Sequence, residues 1–175
     1  MDIFKAIIIL TILMVIFPLV TKGQEQEYNV ETGSVSDHVN KILNGPITKE
    51  GLKKMPYKIW FNTNYKTYLV DTETLKDIKK RKLKDLKIIA FMGTWCHDSN
   101  REIPRLLRVV EELGIADQLE LYGVDVNKTS AKGKEKSYKI SKTPTIIFIR
   151  DGKEIGRILE EPEISFEQNL VEILK

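Results

Sequence analysis

Apolar and polar positions follow several distinct rhythms along this chain. Ala6 to Val20 is apolar almost without a break, AIIILTILMVIFPLV, and ends at Pro18 and Thr21-Lys22-Gly23. Val35, Val39, Ile42 and Leu43 recur at helical spacing until Asn44-Gly45-Pro46 stops the pattern. Tyr57 to Val70 is dense in rings (Tyr57, Trp60, Phe61, Tyr65, Tyr68) and reads as an extended segment that packs them on the core, in preference to a ligand platform. Thr74 to Leu86 is lysine-rich, with Leu75 and Ile78 able to face inward, and reads as a solvated helix face.

The second half alternates strand and helix. Lys87 to Phe91 predicts a buried strand running into Gly93-Thr94-Trp95-Cys96. Ile103, Leu106, Leu107, Val110 and Leu113 then share one helical face, with Arg101, Arg105, Arg108 and Glu112 mostly opposite, until Gly114. Leu119 to Val126 predicts a strand and Lys132 to Lys139 a short helix. Thr145 to Arg150 and Glu154 to Leu159 predict a hairpin across Asp151-Gly152. Ser165-Phe166-Glu167-Gln168 is a capping box opening a last helix with Phe166, Leu170, Ile173 and Leu174 inward. This order implies an α/β fold, a mixed central sheet with helices on both faces.

Length and composition narrow the plan. A chain of 175 residues, 42% apolar and 30% charged, suits one soluble domain with an added segment. The apolar run after Lys5 has the length of a signal-peptide core and falls short of a comfortable membrane span. The expected organisation is a signal peptide over 1–23, an N-terminal extension over 24–56 and a folded domain over 57–175. An uncleaved anchor and a buried core helix are the competing readings of the leader. Export to the periplasm or the extracellular space follows from it, with membrane contact only if the leader stays. A net charge of +3 is too small to imply nucleic-acid binding.

One cysteine, Cys96, rules out an intrachain disulfide and any zinc site built from several thiolates. Cys96 with His97 would lack metal ligands in number. No cofactor is implied. Placed at a helix start, however, Cys96 meets unsatisfied backbone N–H groups and the positive end of the helix dipole, which favour the nucleophilic thiolate over the thiol. His97 adds positive charge when protonated, and Asp98 opposes it. His38, the other histidine, falls in the extension as a surface residue. Lys128, Lys132, Lys134, Lys136, Lys139 and Lys142 form a second basic tract ending beside Pro144, read as solvated helix and loop in preference to a surface for acidic clients.

Four features in register resemble the thioredoxin family. Phe91-Met92-Gly93-Thr94-Trp95-Cys96-His97-Asp98-Ser99 looks like its strand and W-C-x-x-C loop, and Pro104 matches the proline inside its active-site helix. Tyr138 to Thr145 resembles the approach to its cis-proline, here Pro144, and Ile146 to Gly152 the hairpin that follows. The match is close from Lys87 to Leu174 and looser from Tyr57 to Leu86, where the family's opening strand and helix would lie. The resemblance implies a thioredoxin-like fold, in an exported bacterial form with a single-cysteine W-C-x-x-S loop.

It also implies the chemistry. Cys96 would be the nucleophile in thiol–disulfide exchange, tuned by His97, Asp98 and Ser99, while Trp95, Thr143 and Pro144 would shape the client surface. Two departures limit the cycle: Ser99 stands in place of the resolving cysteine, and Ala90 in place of the family's buried acid. Partners would be exported proteins with cysteines or disulfides and an external thiol reductant, and the role redox homeostasis. Ser99 is open to two readings, a hydrogen bond to the Cys96 thiolate or a plain helix-capping serine. The alternative from another class is a binding or chaperone module that kept the fold and lost turnover; a weaker one is a carrier of glutathione-like adducts.

Overall fold

In the computed structural model, which describes residues 26–33 and 41–175, β1 (Glu31–Thr32) pairs antiparallel with β2 (Ile42–Leu43), and β3 (Gly45–Ile47) follows directly. Next come α1 (Lys49–Leu52), α2 (Lys58–Thr67), α3 (Thr72–Lys79), β4 (Leu86–Met92) and α4 (His97–Leu113). The chain closes with β5 (Leu119–Gly123), β6 (Thr145–Arg150), β7 (Lys153–Leu159) and α5 (Phe166–Ile173). The leader, Val35, His38 and Val39 lie outside the described residues.

Five strands form the central sheet in the order β3-β5-β4-β6-β7. β4 runs parallel to β5 and antiparallel to β6, so the sheet is mixed as the pattern predicts. β4 is its middle strand, and both of its faces are apolar. Leu86, Ile88, Ala90 and Met92 join a large core with residues of all five α-helices, including Phe61, Ile78, Ile103, Leu106, Val110 and Phe166. Ile89 and Phe91 point the other way, with Val124 and Ile147, under Tyr138 of a 3-10 helix over Lys134–Tyr138. A strand covered on both sides is a continuous apolar run, which is how LKIIAFM reads.

Local rules set the element ends. Gly114 takes the left-handed conformation (φ 74°) that closes α4. Asp151 and Gly152 both have positive φ, as a two-residue hairpin turn requires, and join β6 to β7. Ser165 caps α5 by accepting the Gln168 N–H at 3.2 Å.

The structure corrects four sequence expectations. Tyr57–Val70 is not extended: Lys58–Thr67 is helical, because its rings recur at three- and four-residue intervals that bring Phe61 and Tyr65 into a stack at 5.6 Å. Ile42 and Leu43 belong to a strand rather than a helix, and Gly45 and Pro46 of the expected stop Asn44-Gly45-Pro46 open a sheet strand, Gly45–Ile47. The opening strand of the sheet therefore lies inside the stretch taken as an extension, not after Tyr57. The strand expected to reach Val126 ends at Gly123, since the Asp125 carboxylate accepts the Thr129 N–H and turns the chain.

Candidate functional site

Cys96 sits at the junction the sheet creates. β4 ends at Met92, three residues follow at the carboxyl end of this central strand, and Cys96 is the N-cap of α4 with extended backbone (φ −89°, ψ 125°). Its N–H donates to the Gly93 carbonyl at 2.9 Å, and its carbonyl accepts the Asn100 N–H at 3.0 Å. The thiol is half-buried and lies 3.1 Å from the carbonyl oxygen of Thr143, to which the S–H donates. The Thr143–Pro144 bond is cis, and both residues are buried. Cys96, Thr143 and Pro144 thus come together from loops 47 residues apart in sequence.

Trp95 is half-buried beside the sulfur. Its indole N–H donates to the Val124 carbonyl at 2.9 Å, and its ring lies over Gly93, where a Cβ would come within 2.5 Å of it. His97 projects into solvent, with Nδ1 3.9 Å from an Asp98 oxygen. Asp98 itself is engaged by Arg101 at 3.0 Å, so its negative charge is partly compensated. Ser99 is fully buried. Its hydroxyl oxygen accepts the Gly93 N–H at 3.2 Å, and among the described residues no hydrogen bond joins it to Cys96. Ser99 lies inside α4, past the N-cap Cys96, so it makes neither a bond to the Cys96 sulfur nor a helix cap, and instead braces the loop against the helix.

Three residues around this site, Thr94, Asn44 and Glu102, make contacts that the sequence reading does not anticipate. Thr94 Oγ1 accepts the Leu43 N–H at 3.2 Å, fastening the cysteine loop to β2. Asn44 donates to the Thr129 carbonyl at 3.1 Å and accepts the Ala131 N–H at 2.6 Å, fastening the loop after β5. Nothing in local spacing marks such distant partners. Glu102, one residue before Ile103 on the apolar stripe of α4, is buried and paired with Arg101 and with Arg105 at 3.0 Å, while its Oε2 has no partner among the described residues. A charge on the inward stripe of an amphipathic helix was the available signal.

Chemically, the arrangement offers one accessible sulfur at a helix start, a backbone carbonyl against it and an aromatic wall. A buried hydroxyl occupies the next turn. No other thiol exists in the chain to close a cycle.

A model of the thioredoxin family matches residues 66–172. A relative, the thioredoxin-like protein R548 of Acanthamoeba polyphaga mimivirus, is 28% identical over 89 residues, and the match spans 51% of this chain and 63% of the relative. Among solved structures, thioredoxin O2 from Arabidopsis thaliana in its oxidized state shares 17% identity over 59% of this chain and 86% of its own, with a TM-score of 0.41. The Fasciola hepatica thioredoxin shares 24% identity over 59% and 86%, with a TM-score of 0.37.

Proposed function

The chain belongs to the thioredoxin family, and from that premise we propose that it performs thiol–disulfide exchange through Cys96 alone. The observation that carries the reading is the placement of Cys96: a half-exposed thiol at the N-cap of α4, 3.1 Å from the Thr143 carbonyl. The Cys96 thiolate attacks one sulfur of a client disulfide. That S–S bond breaks as the new one forms, and the other client sulfur leaves as a thiolate that takes up a proton.

Resolution must come from outside the pair Cys96 and Ser99, since Ser99 is a buried hydroxyl and a poor nucleophile for sulfur. A second client thiol attacking the mixed disulfide gives isomerisation. An external thiol gives reduction, becoming oxidised itself. Trp95, Thr143 and Pro144 form the client surface, and His97 and Asp98 set the charge around the sulfur. With residues 1–23 as a leader, the clients are exported proteins and the role is redox homeostasis outside the cytoplasm.

The test is capture. Wild-type protein mixed with a disulfide-bonded client should form adducts that a reductant releases, and Cys96→Ala should form none. Failure of the wild type to form any adduct sinks the exchange reading. Unchanged client binding by Cys96→Ala would favour the binding-module alternative.

A further inference from the structure

Deepening the exchange reading and resting on it, we propose that Lys128 selects peptide clients that carry a carboxylate beside their reactive cysteine. The Lys128 ammonium lies 6.0 Å from the centre of the Trp95 ring, next in sequence to the sulfur. It makes no ion pair among the described residues, whereas Asp98 and Glu161 are engaged by Arg101 and Glu160 by Lys142. Asp125, whose carboxylate feels the Lys128 charge, is committed to the N–H and hydroxyl of Thr129.

The backbone that presents this cation beside Trp95 is held in place. Lys128 holds a left-handed backbone (φ 61°), a conformation uncommon for a residue with a Cβ. A closed turn enforces it: the Lys128 N–H donates to the Asp125 carbonyl at 2.9 Å, and the Asp125 N–H to the Thr129 carbonyl at 3.0 Å. Asn44 then ties Thr129 and Ala131 to the strand beside the sheet. Two other lysines of the tract are engaged elsewhere, Lys134 over the rings of Tyr122 and Tyr138 and Lys142 on Glu160. A client carboxylate on the Trp95 side would find one unpaired, positioned cation while its sulfur meets Cys96.

The test uses the full chain and three peptides of equal length whose single cysteine is flanked by Glu, Gln or Lys. Each is activated as its 2-pyridyl disulfide. Attack by Cys96 breaks that S–S bond, forms the Cys96–peptide disulfide and releases pyridine-2-thione, whose absorbance gives the rate. The Glu peptide should react about two- to fivefold faster than the Lys peptide, the range of a partly solvated ion pair. The gap should shrink with added salt.

Lys128→Gln should erase the gap, and Lys132→Gln should keep it. A gap that survives Lys128→Gln, or that Lys132→Gln removes equally, overturns the proposal while exchange at Cys96 stands. No reaction of wild type with the Gln peptide means that the exchange reading itself has failed.

Discussion

The backbone N–H of Leu43 donates to the hydroxyl of Thr94 at 3.2 Å, joining residues 51 apart and fastening the cysteine loop to the first hairpin. Both groups are buried, so neither has water to fall back on. Thr94→Val keeps the shape and removes the acceptor, which should cost about 1–3 kcal/mol for an orphaned buried donor. A lower urea midpoint with an unchanged slope would report it, and Thr94→Ser should retain most of the stability. An unshifted midpoint in Thr94→Val would mean that the bond carries no net stability.

Ser99→Cys should convert the one-thiol site into a two-thiol one. The substitution places sulfur one helical turn after Cys96, the Cys-X-X-Cys spacing. An intramolecular thiol acts at an effective concentration on the order of millimolar or above, so client adducts on Cys96 should no longer accumulate. Thiol titration should count two groups in the reduced variant and none after mild oxidation. The Gly93 N–H loses its hydroxyl acceptor in exchange, at roughly 1 kcal/mol. Two thiols still titrating after oxidation would show that the buried position is held too far from Cys96.

How much of this was legible in the sequence follows the range of the interactions. β4, α4, the β6–β7 hairpin and α5 were readable because each is written in a contiguous run: a two-faced apolar strand, a 3.6-residue stripe, an Asp-Gly turn, a capping box. Cys96, Thr143 and Pro144 were readable as a set through resemblance, not through periodicity. The aromatic stretch was misread because ring content suggests a strand, whereas its spacing, Phe61 to Tyr65, is helical. β3 has only three residues, two of them Gly45 and Pro46, so its turn-like composition hid an edge strand. Glu102 and Asn44 depend on partners fixed only once the chain has folded.

Tyr57 should make stability fall in alkali. Burial, then the negative charge of Glu31, holds its phenol pushed up to about 12 from an ordinary value of 10.0. The folded state therefore keeps its proton more tightly than the unfolded chain. That contribution is fully present below about pH 10 and is lost as pH rises through about 12. Tyr68, raised by burial and by Glu167, adds a fall of the same sign. Urea midpoints measured between pH 8 and pH 11 should drop for the wild type, and Tyr57→Phe should flatten the drop without abolishing it. Equal slopes in the two proteins would remove Tyr57 from the account.

Gly93→Ala should damage the site through Trp95 rather than through the backbone. A Cβ at Gly93 would stand 2.5 Å from Cε2 and 2.6 Å from Nε1 of the indole, closer than real contacts allow. The ring has to swing away, which breaks its hydrogen bond to the Val124 carbonyl and lifts it from beside the sulfur and the Lys128 ammonium. Overpacking of this kind costs about 1–3 kcal/mol. In a Trp60→Phe background, which leaves Trp95 the sole tryptophan, the emission of Gly93→Ala should shift, and its exchange with a neutral disulfide should slow. A double-mutant cycle isolates the cause. With Trp95→Ala already made, the added methyl meets no ring, so Gly93→Ala should then cost little. If it costs the same with and without the indole, the clash is not the mechanism, and the Gly93 backbone, which also donates to Ser99 and accepts from Cys96, becomes the part that fails.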